Sequence, residues 1–408
     1  MIKTQTLKGF RDFLPEDAIK RNFLREKIQK VFEKWGYDPL ETPTLEYAEL
    51  FKGVIGEDEK LFYKFTDNGG REVAMRYDQT IPASRVVGQN PNLPIPFKRY
   101  QIQPAFRAEN PQKGRYREFL QCDADIWGVS SPLADAEVIA LSLDIYKELG
   151  FKKAIAKIND RKLLKDYPYE AVVAIDKLKK IGEEGVIADM VGKGISNDKA
   201  RGNLKEITNL QPNETIKQIF ETLEKLGVEK DWYQFDPTIV RSFAYSDGPI
   251  WEIEIPEYPI GSVLGGERYD SLTAKLTGKD IPGTGFGLGF DRTLEAMETV
   301  GLFPAQKTMS KVLVTVFSPE LLEKSLEVCS RLRSNNINTE LWLDPEAKLD
   351  KQLKYADQKG IPYVVIIGPD EAKANKVTLK NLSIKTQETI SVDQLLDFLK
   401  ESDKRSVR

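Results

Sequence analysis

Residues 97–128 read FKRYQIQPAFRAENPQKGRYREFLQCDADIWG, two strand-like runs joined by a basic loop. In the first run Tyr100, Ile102, Pro104 and Phe106 alternate with Arg99, Gln101, Gln103 and Arg107. In the second, Leu120, Cys122, Ala124 and Ile126 alternate with Phe119, Gln121, Asp123 and Asp125. Side chains of a strand point alternately to its two faces, so each run has one apolar and one polar side. The polar side joins arginine, amide and carboxylate groups beside Phe119, and the loop adds Lys113, Arg115 and Arg117. Such a face suits the floor of a site that holds an anion next to a small polar molecule.

Outward from this hairpin the chain has 408 residues, enough for two or three domains. Hydrophobic residues make up 40% and charged residues 30%, the proportions of an ordinary globular protein. No apolar run approaches the ~20 residues of a membrane span, and MIKTQTLKGF has no apolar signal-peptide core, so a cytoplasmic protein without a membrane partner is expected. Only Cys122 and Cys329 are present, which fits a reducing compartment and offers no disulfide or metal framework. With a net charge of −3, a nucleic-acid partner would have to meet local basic patches. There is no histidine at all, which excludes a histidine base, a histidine metal site and a Ser-His-Asp triad.

Before the hairpin, Ile19, Phe23, Leu24, Ile28, Val31, Phe32 and Trp35 recur at spacings of three and four and predict an amphipathic helix over 16–35. Core packing and a dimer interface explain that stripe equally. Residues 61–88 predict a hairpin turning at Asn68-Gly69. Its second strand ends in Asp78 and Thr80, groups that cap a helix or hold an ammonium; by themselves they favour the cap. After the hairpin a helix is expected over 132–149. Residues 151–235 turn helical and rich in Lys, a solvated surface or a contact with a nucleic-acid backbone.

Strands resume from Asp236. Gly265 and Gly266 permit close backbone approach, and Gly283, Gly285, Gly287 and Gly289 occupy alternate positions of one strand. That strand is expected to leave one face bare for a flat ring, and the helix that follows presents Arg292 one turn in. The pattern is not GxGxxG on a βα turn, which argues against a dinucleotide fold. Beyond Pro304 short apolar runs alternate with amphipathic helices, a separate small α/β domain. Arg107, Arg241 and Arg292 sit at strand ends or a helix start and can clamp a polyphosphate. Asp78, Gln121 and Asp125 can hold an amino acid.

These residues resemble the class II aminoacyl-tRNA synthetases, and specifically the histidyl-tRNA synthetases. GFRDFLPE and the Pro43 segment resemble the family's N-terminus and first motif, FRAENPQKGRYREFLQCDADIWG its second, and GFGLGFDR its third. MRYDQT, VRSFAYSDGPIWEIE and VLGGERYDSL resemble the stretches that build its histidine pocket. The resemblance implies an α+β fold: an antiparallel catalytic sheet flanked by helices over 1–304, a helical insertion at about 152–235, and a C-terminal α/β anticodon-binding domain over 311–408. It implies a homodimeric histidine–tRNA ligase that uses ATP and Mg²⁺ to form histidyl-adenylate and then charges histidine tRNA, contacting the tRNA through the insertion. Arg107 and Arg292 would hold the ATP phosphates, with Glu109 at the adenine, Phe119 stacked on it and Arg115 in a loop that also meets the acceptor end. Arg241 would lie by the α-phosphate and the substrate carboxylate. Asp78, Thr80 and Gln121 would hold the α-amino group, and Asp125, Tyr245 and Tyr269 would line the side-chain pocket.

The pocket stretches depart from the family pattern. The usual RGLDYYTG is here Arg241 to Gly248, with Ala244 for the aspartate and Ser246 for the second tyrosine; Glu267 breaks a triple glycine, and Ala124 stands where an aromatic residue is common. Losing a large amphipathic wall opens space, which makes a histidine analogue or a larger side chain the alternative substrate. The regulatory subunit of ATP phosphoribosyltransferase is the non-catalytic alternative; it shares the catalytic fold but lacks the C-terminal domain and has no need of the motif arginines.

Overall fold

The computed structural model describes residues 4–54, 60–111, 114–240 and 245–406, with side chains to residue 402. Arg241 and Ala244 of the pocket stretch and Lys113 of the basic loop lie outside the described residues. The chain forms two compact units, residues 1–12 with 23–303 and residues 13–22 with 304–408.

The first unit is built on one large sheet. Helix α1 (Pro15–Lys34) is followed by strands β1 (Asp38–Pro39), β2 (Leu45–Tyr47), β3 (Lys64–Thr66) and β4 (Glu72–Met75), helix α2 (Thr80–Gln89), and the long hairpin β5 (Phe97–Phe106) and β6 (Glu118–Trp127). Helix α3 (Pro132–Glu148) starts where the Ser131 hydroxyl accepts from Leu133 N and Pro132 supplies a preset φ. Strand β7 (Ile155–Asp160), helices α4 (Tyr169–Ile175), α5 (Leu178–Gly192), α6 (Asn197–Thr208) and α7 (Glu214–Lys225), and strand β8 (Tyr233–Phe235) come next. Strands β9 (Pro249–Glu254) and β10 (Leu264–Arg268), helix α8 (Leu272–Thr277), strand β11 (Gly283–Gly289) and helix α9 (Phe290–Val300) complete it.

The order in the main sheet is β1-β5-β6-β11-β10-β9-β7-β8, antiparallel except for its two outermost pairs; β2, β4 and β3 form a small separate sheet. One face of the main sheet packs on Leu24, Ile28 and Phe32 of α1, Val138, Leu141 and Ile145 of α3, and Ile216, Ile219 and Leu223 of α7. Each of these side chains contributes roughly 2 kcal/mol of burial. On the other face α2 and α8 bring Ile81 and Leu272 over Trp127 and Tyr269, covering one end and leaving the rest as a cleft.

Two expectations change in detail. The β3–β4 hairpin does not turn on Asn68-Gly69 alone: Thr66 pairs with Glu72, so the loop has five residues. The Asp67 carboxylate accepts from Gly69 N and Arg71 N, and Gly70 takes the positive φ (77°), because an aspartate that bonds its own following backbone organises a longer turn. The expected helical insertion is bracketed by β7 and β8, which are strands of the main sheet, and α7 packs on the main core. Only α4, α5 and α6 share a core of their own, around Val172, Ile175, Val186, Met190, Leu204 and Ile207.

The second unit holds β12 (Val312–Val314), α10 (Leu322–Ser334), β13 (Thr339–Leu341), α11 (Leu349–Lys359), β14 (Tyr363–Ile366), α12 (Pro369–Ala374), β15 (Lys376–Asn381), β16 (Thr386–Ser391) and α13 (Val392–Ser406). Its sheet runs β13-β12-β14-β15-β16, with the first three strands parallel. Val328 and Leu332 of α10 and Leu395 and Leu399 of α13 pack on one face, and Ala356 of α11 on the other, as parallel strands buried on both sides require.

Candidate active site

Register across the main sheet sets the cleft floor. Arg99, Asp125, Gly285 and Glu267 are successive partners across β5, β6, β11 and β10. Gln101, Asp123, Gly287 and Gly265 form the next row, and Gln103, Gln121 and Gly289 the one after. The alternating glycines leave room chiefly for the sheet's own polar side chains. A Cβ on Gly285 would stand 2.1 Å from Asp125 Oδ1, one on Gly287 2.7 Å from Gln121 Nε2, and one on Gly283 2.4 Å from the Tyr269 ring. The bare face expected for a flat ring is therefore shared: side chains of neighbouring strands lean over it, while Gly285, Gly287 and Gly289 still line the cleft.

The cleft holds about 290 Å³ and brings together Asp78, Thr80, Arg107, Glu109, Arg115, Phe119, Gln121, Tyr245, Tyr269 and Arg292. At one end are the cations. Arg107 donates to Tyr77 O (3.2 Å) and its guanidinium lies 4.3 Å from the Tyr77 ring and 5.2 Å from the Phe119 ring. Arg292 donates to Ser262 O (2.7 Å). Arg115 is half exposed, with Glu109 4.0 Å away. Arg117, the third basic residue of the loop, turns aside and donates to Glu109 O (2.9 Å) and Lys8 O (3.4 Å).

At the other end the groups are acceptors. Asp78 does cap α2, through Oδ1 on Ile81 N (3.0 Å), yet its Oδ2 is buried without a partner among the described residues, as is Gln121 Oε1. The capping and ligand readings of Asp78 are thus both compatible, one oxygen each. Burial pushes the Asp78 carboxyl up to about 6; the Ile81 N–H and Arg107 oppose this, and Asp125 and Glu267 add to it. Gln121 is oriented by its donation to Asp123 Oδ2 (3.0 Å).

Two expected residues, Asp125 and Ser246, are placed differently. Asp125 does not line the cleft: it is fully buried beneath the floor, ion-paired with Arg99 at 2.6 Å and accepting from the Tyr269 hydroxyl. Burial raises its pKa while Arg99 and Tyr269 pull it down. Ser246 lines a second cavity with Arg161, Lys162 and Asp247, and its hydroxyl donates to Glu267. Arg241 lies outside the described residues. Glu267, not expected there, enters the cleft wall, although only 5% exposed. Its signal was the broken glycine run; its direction needed the register. Tyr116 also lines the cleft, beneath the Arg11 guanidinium, a contact between segments a hundred residues apart that local spacing does not reveal.

A family model described as histidyl-tRNA synthetase matches residues 9–293, and one for an anticodon binding domain matches residues 311–402. The chain belongs to the histidyl-tRNA synthetase family. Relatives named histidine–tRNA ligase include one from Cytophaga hutchinsonii, 35% identical over 98% of this chain and 100% of the relative. Another, from Korarchaeum cryptofilum, is 36% identical over 97% of this chain and 98% of its own length. The crystal structure of histidyl-tRNA synthetase from Nostoc sp. superposes with a TM-score of 0.84 at 26% identity, covering 98% of this chain and all of that one. A Bacillus halodurans structure titled ATP phosphoribosyltransferase regulatory subunit/histidyl-tRNA synthetase shares the fold at a TM-score of 0.70 and 23% identity. The α+β class II architecture with its C-terminal domain agrees with this family membership.

Proposed function

We propose that this chain is a histidine–tRNA ligase that condenses histidine with ATP to histidyl-adenylate and passes the histidyl group to the 3′ end of histidine tRNA. The observation that carries it is a cleft with Arg107, Arg292 and Phe119 at one end and, at the other, acceptors of Asp78 and Gln121 that have no partner among the described residues. The phosphates would lie against Arg107 and Arg292, with the adenine against Phe119 and Glu109 and under the Arg115 loop. The α-ammonium would satisfy Asp78 Oδ2, Gln121 Oε1 and the Thr80 hydroxyl. Arg241 would complete the arginine set at the α-phosphate.

In this arrangement the substrate carboxylate would lie in line with the α-phosphorus. The carboxylate oxygen attacks, the bond to the bridging oxygen breaks, and pyrophosphate leaves. A carboxylate is already ionised near neutrality, so a chain without histidine needs no base for this step. Among the described residues no cluster of three or more acidic or thiol groups could hold a metal by itself. Glu109 and Asp291 line the phosphate end and fit the common arrangement in which one or two carboxylates and the phosphates share Mg²⁺. Mg²⁺ would supply charge neutralisation of the leaving pyrophosphate.

Exposed Leu45, Tyr47 and Phe65 on the small sheet support a homodimer through that region. Cys122 and Cys329 are both buried and not joined in a disulfide, which suits a cytoplasmic enzyme. No helix among the described residues is long and apolar enough to cross a membrane. The C-terminal match and the cleft arginines favour a ligase over a regulatory paralogue. The test is amino-acid-dependent ATP–pyrophosphate exchange over a panel of amino acids, followed by charging of histidine tRNA. Exchange driven fastest by an amino acid other than histidine, or none at all, would reject the proposal.

A further inference from the structure

The middle row of the cleft floor carries a carboxylate that does not itself reach the cleft. Asp123 is fully buried on β6, between Asp125 and Gln121 on the same face. Its Oδ2 accepts from Gln121 Nε2 at 3.0 Å. The bond lies beside Gly287, where a Cβ would stand 2.7 Å from Gln121 Nε2 and 3.2 Å from Asp123 Oδ1, so a larger residue there would displace it. The main chain of Gln121 is held separately. Buried Gln79, just before α2, donates to Gln121 O at 3.0 Å and to Gln103 O at 2.7 Å. What remains to be set is the direction of the Gln121 amide.

The two ends of an amide have nearly the same shape and opposite chemistry, so its partners decide which end points where. With the N–H toward Asp123, the carbonyl oxygen Oε1 is turned away from it; Oε1 is buried with no partner among the described residues, and Gln121 lines the cleft. Turned round, Oε1 would face the Asp123 oxygen, acceptor against acceptor, and the amide would offer N–H donors to the ligand. Burial raises the Asp123 pKa well above the carboxylate range; Arg99 and the Gln121 N–H oppose this, Asp125 and Asp78 add to it, and Arg76 also faces it. A proton, when held, sits on Oδ1, which has no partner among the described residues, and leaves Oδ2 to accept. The direction of the amide therefore holds in either protonation state.

We propose that Asp123 is a positioning residue that fixes the polarity of the Gln121 amide and thereby makes the site select an α-ammonium over an α-hydroxyl. The proposal rests on an amino acid occupying the cleft with its α-ammonium at Asp78, Thr80 and Gln121. An ammonium brings three N–H donors to these three acceptors. A hydroxyl brings one, and its lone pairs then face acceptors left unpaired.

The experiment measures ATP–pyrophosphate exchange by the full-length chain with histidine, and inhibition of that exchange by its α-hydroxy analogue. Wild type is expected to prefer histidine by about 1000-fold. In Asp123→Leu, which is close in size and offers no acceptor, the preference falls about 30-fold through KM for histidine, with kcat and KM for ATP within about threefold of wild type. Asp123→Asn, whose carbonyl can still accept, keeps the preference within about threefold of wild type. In a Gln121→Ala background Asp123→Leu changes it by less than about threefold. The proposal is overturned if Asp123→Leu keeps the wild-type preference, or lowers it equally with and without Gln121. Neutron diffraction from wild-type crystals with the bound amino acid needs no variant. A Gln121 deuteron between Nε2 and Asp123 supports the proposal, and Oε1 facing Asp123 overturns it. Exchange driven fastest by another amino acid would reject histidine as the substrate but not this inference, which that amino acid and its own α-hydroxy analogue decide by the same criteria. Exchange with no amino acid would reject both.

Discussion

The Arg11 guanidinium donates to Asp291 at 2.9 Å while it lies 3.2 Å from the centroid of the Tyr116 ring. One side chain from the N-terminal segment thereby ties the residue before Arg292 to the residue after Arg115. Gly9 completes the clasp: its carbonyl accepts from Arg117 N at 2.9 Å. Both tied segments belong to the phosphate end of the cleft.

Replacing Arg11 by Ala should loosen both arginine segments without touching the amino-acid end. KM for ATP is expected to rise about tenfold, consistent with loss of one charge-assisted bond and one cation–π contact, while KM for histidine stays within about twofold. Exchange kinetics with each substrate varied in turn read the two constants separately. Equal rises in both would count against a local clasp.

Asp78 links pH to both binding and stability. Its carboxyl titrates at about 6 in the fold, against about 3.9 in the unfolded chain. The native state therefore holds the proton more tightly. Its penalty is absent below about pH 4 and reaches about 3 kcal/mol as pH rises through 6. Asp78→Asn keeps the cap oxygen and removes the penalty. Urea unfolding should find it more stable than wild type at pH 8 by up to this amount, and equal at pH 4. Its KM for histidine should rise about 100-fold near pH 8, because the α-ammonium loses its buried counter-charge.

Arg268 and Asp135 form a buried pair with contacts at 2.8, 3.0 and 3.1 Å, and Arg268 also reaches Val129 O, Ser131 O and Asp270. The pair pins β10 to α3. Arg268→Ala should cost about 3–5 kcal/mol, because it leaves the buried Asp135 charge without its cation, and Asp135→Ala less, because Arg268 keeps Asp270 and two carbonyls. The double variant should cost clearly less than the sum, and a denaturant double-mutant cycle measures the difference.

Gly285→Ala tests the floor. The new methyl would meet Asp125 Oδ1 at 2.1 Å and Ala124 O at 2.7 Å, so strand or carboxylate must shift, at about 1–3 kcal/mol. Histidine KM should rise about tenfold or more and ATP KM change little. A variant with wild-type constants and wild-type stability would show that the row has slack.

The alternation in residues 97–128 determined the central hairpin and its two faces, because a strand's period of two is local. The glycine alternation at 283–289 marked the strand that needs bare positions, and the absence of histidine removed whole classes of mechanism. Most cleft residues could be named from their motifs alone. What the polar face does with its groups could not be read there. Arg99, Asp125, Gly285 and Glu267 stand in one row although the chain separates the first from the last by more than 160 residues. Pairing of β6 with β11 and of β11 with β10 is a property of the folded sheet. That pairing buries Asp125 under Tyr269 and puts Glu267 in the wall. Local sequence fixes which side of a strand a residue faces; only cross-strand register and the covering helices decide whether that side meets solvent, substrate or another charge.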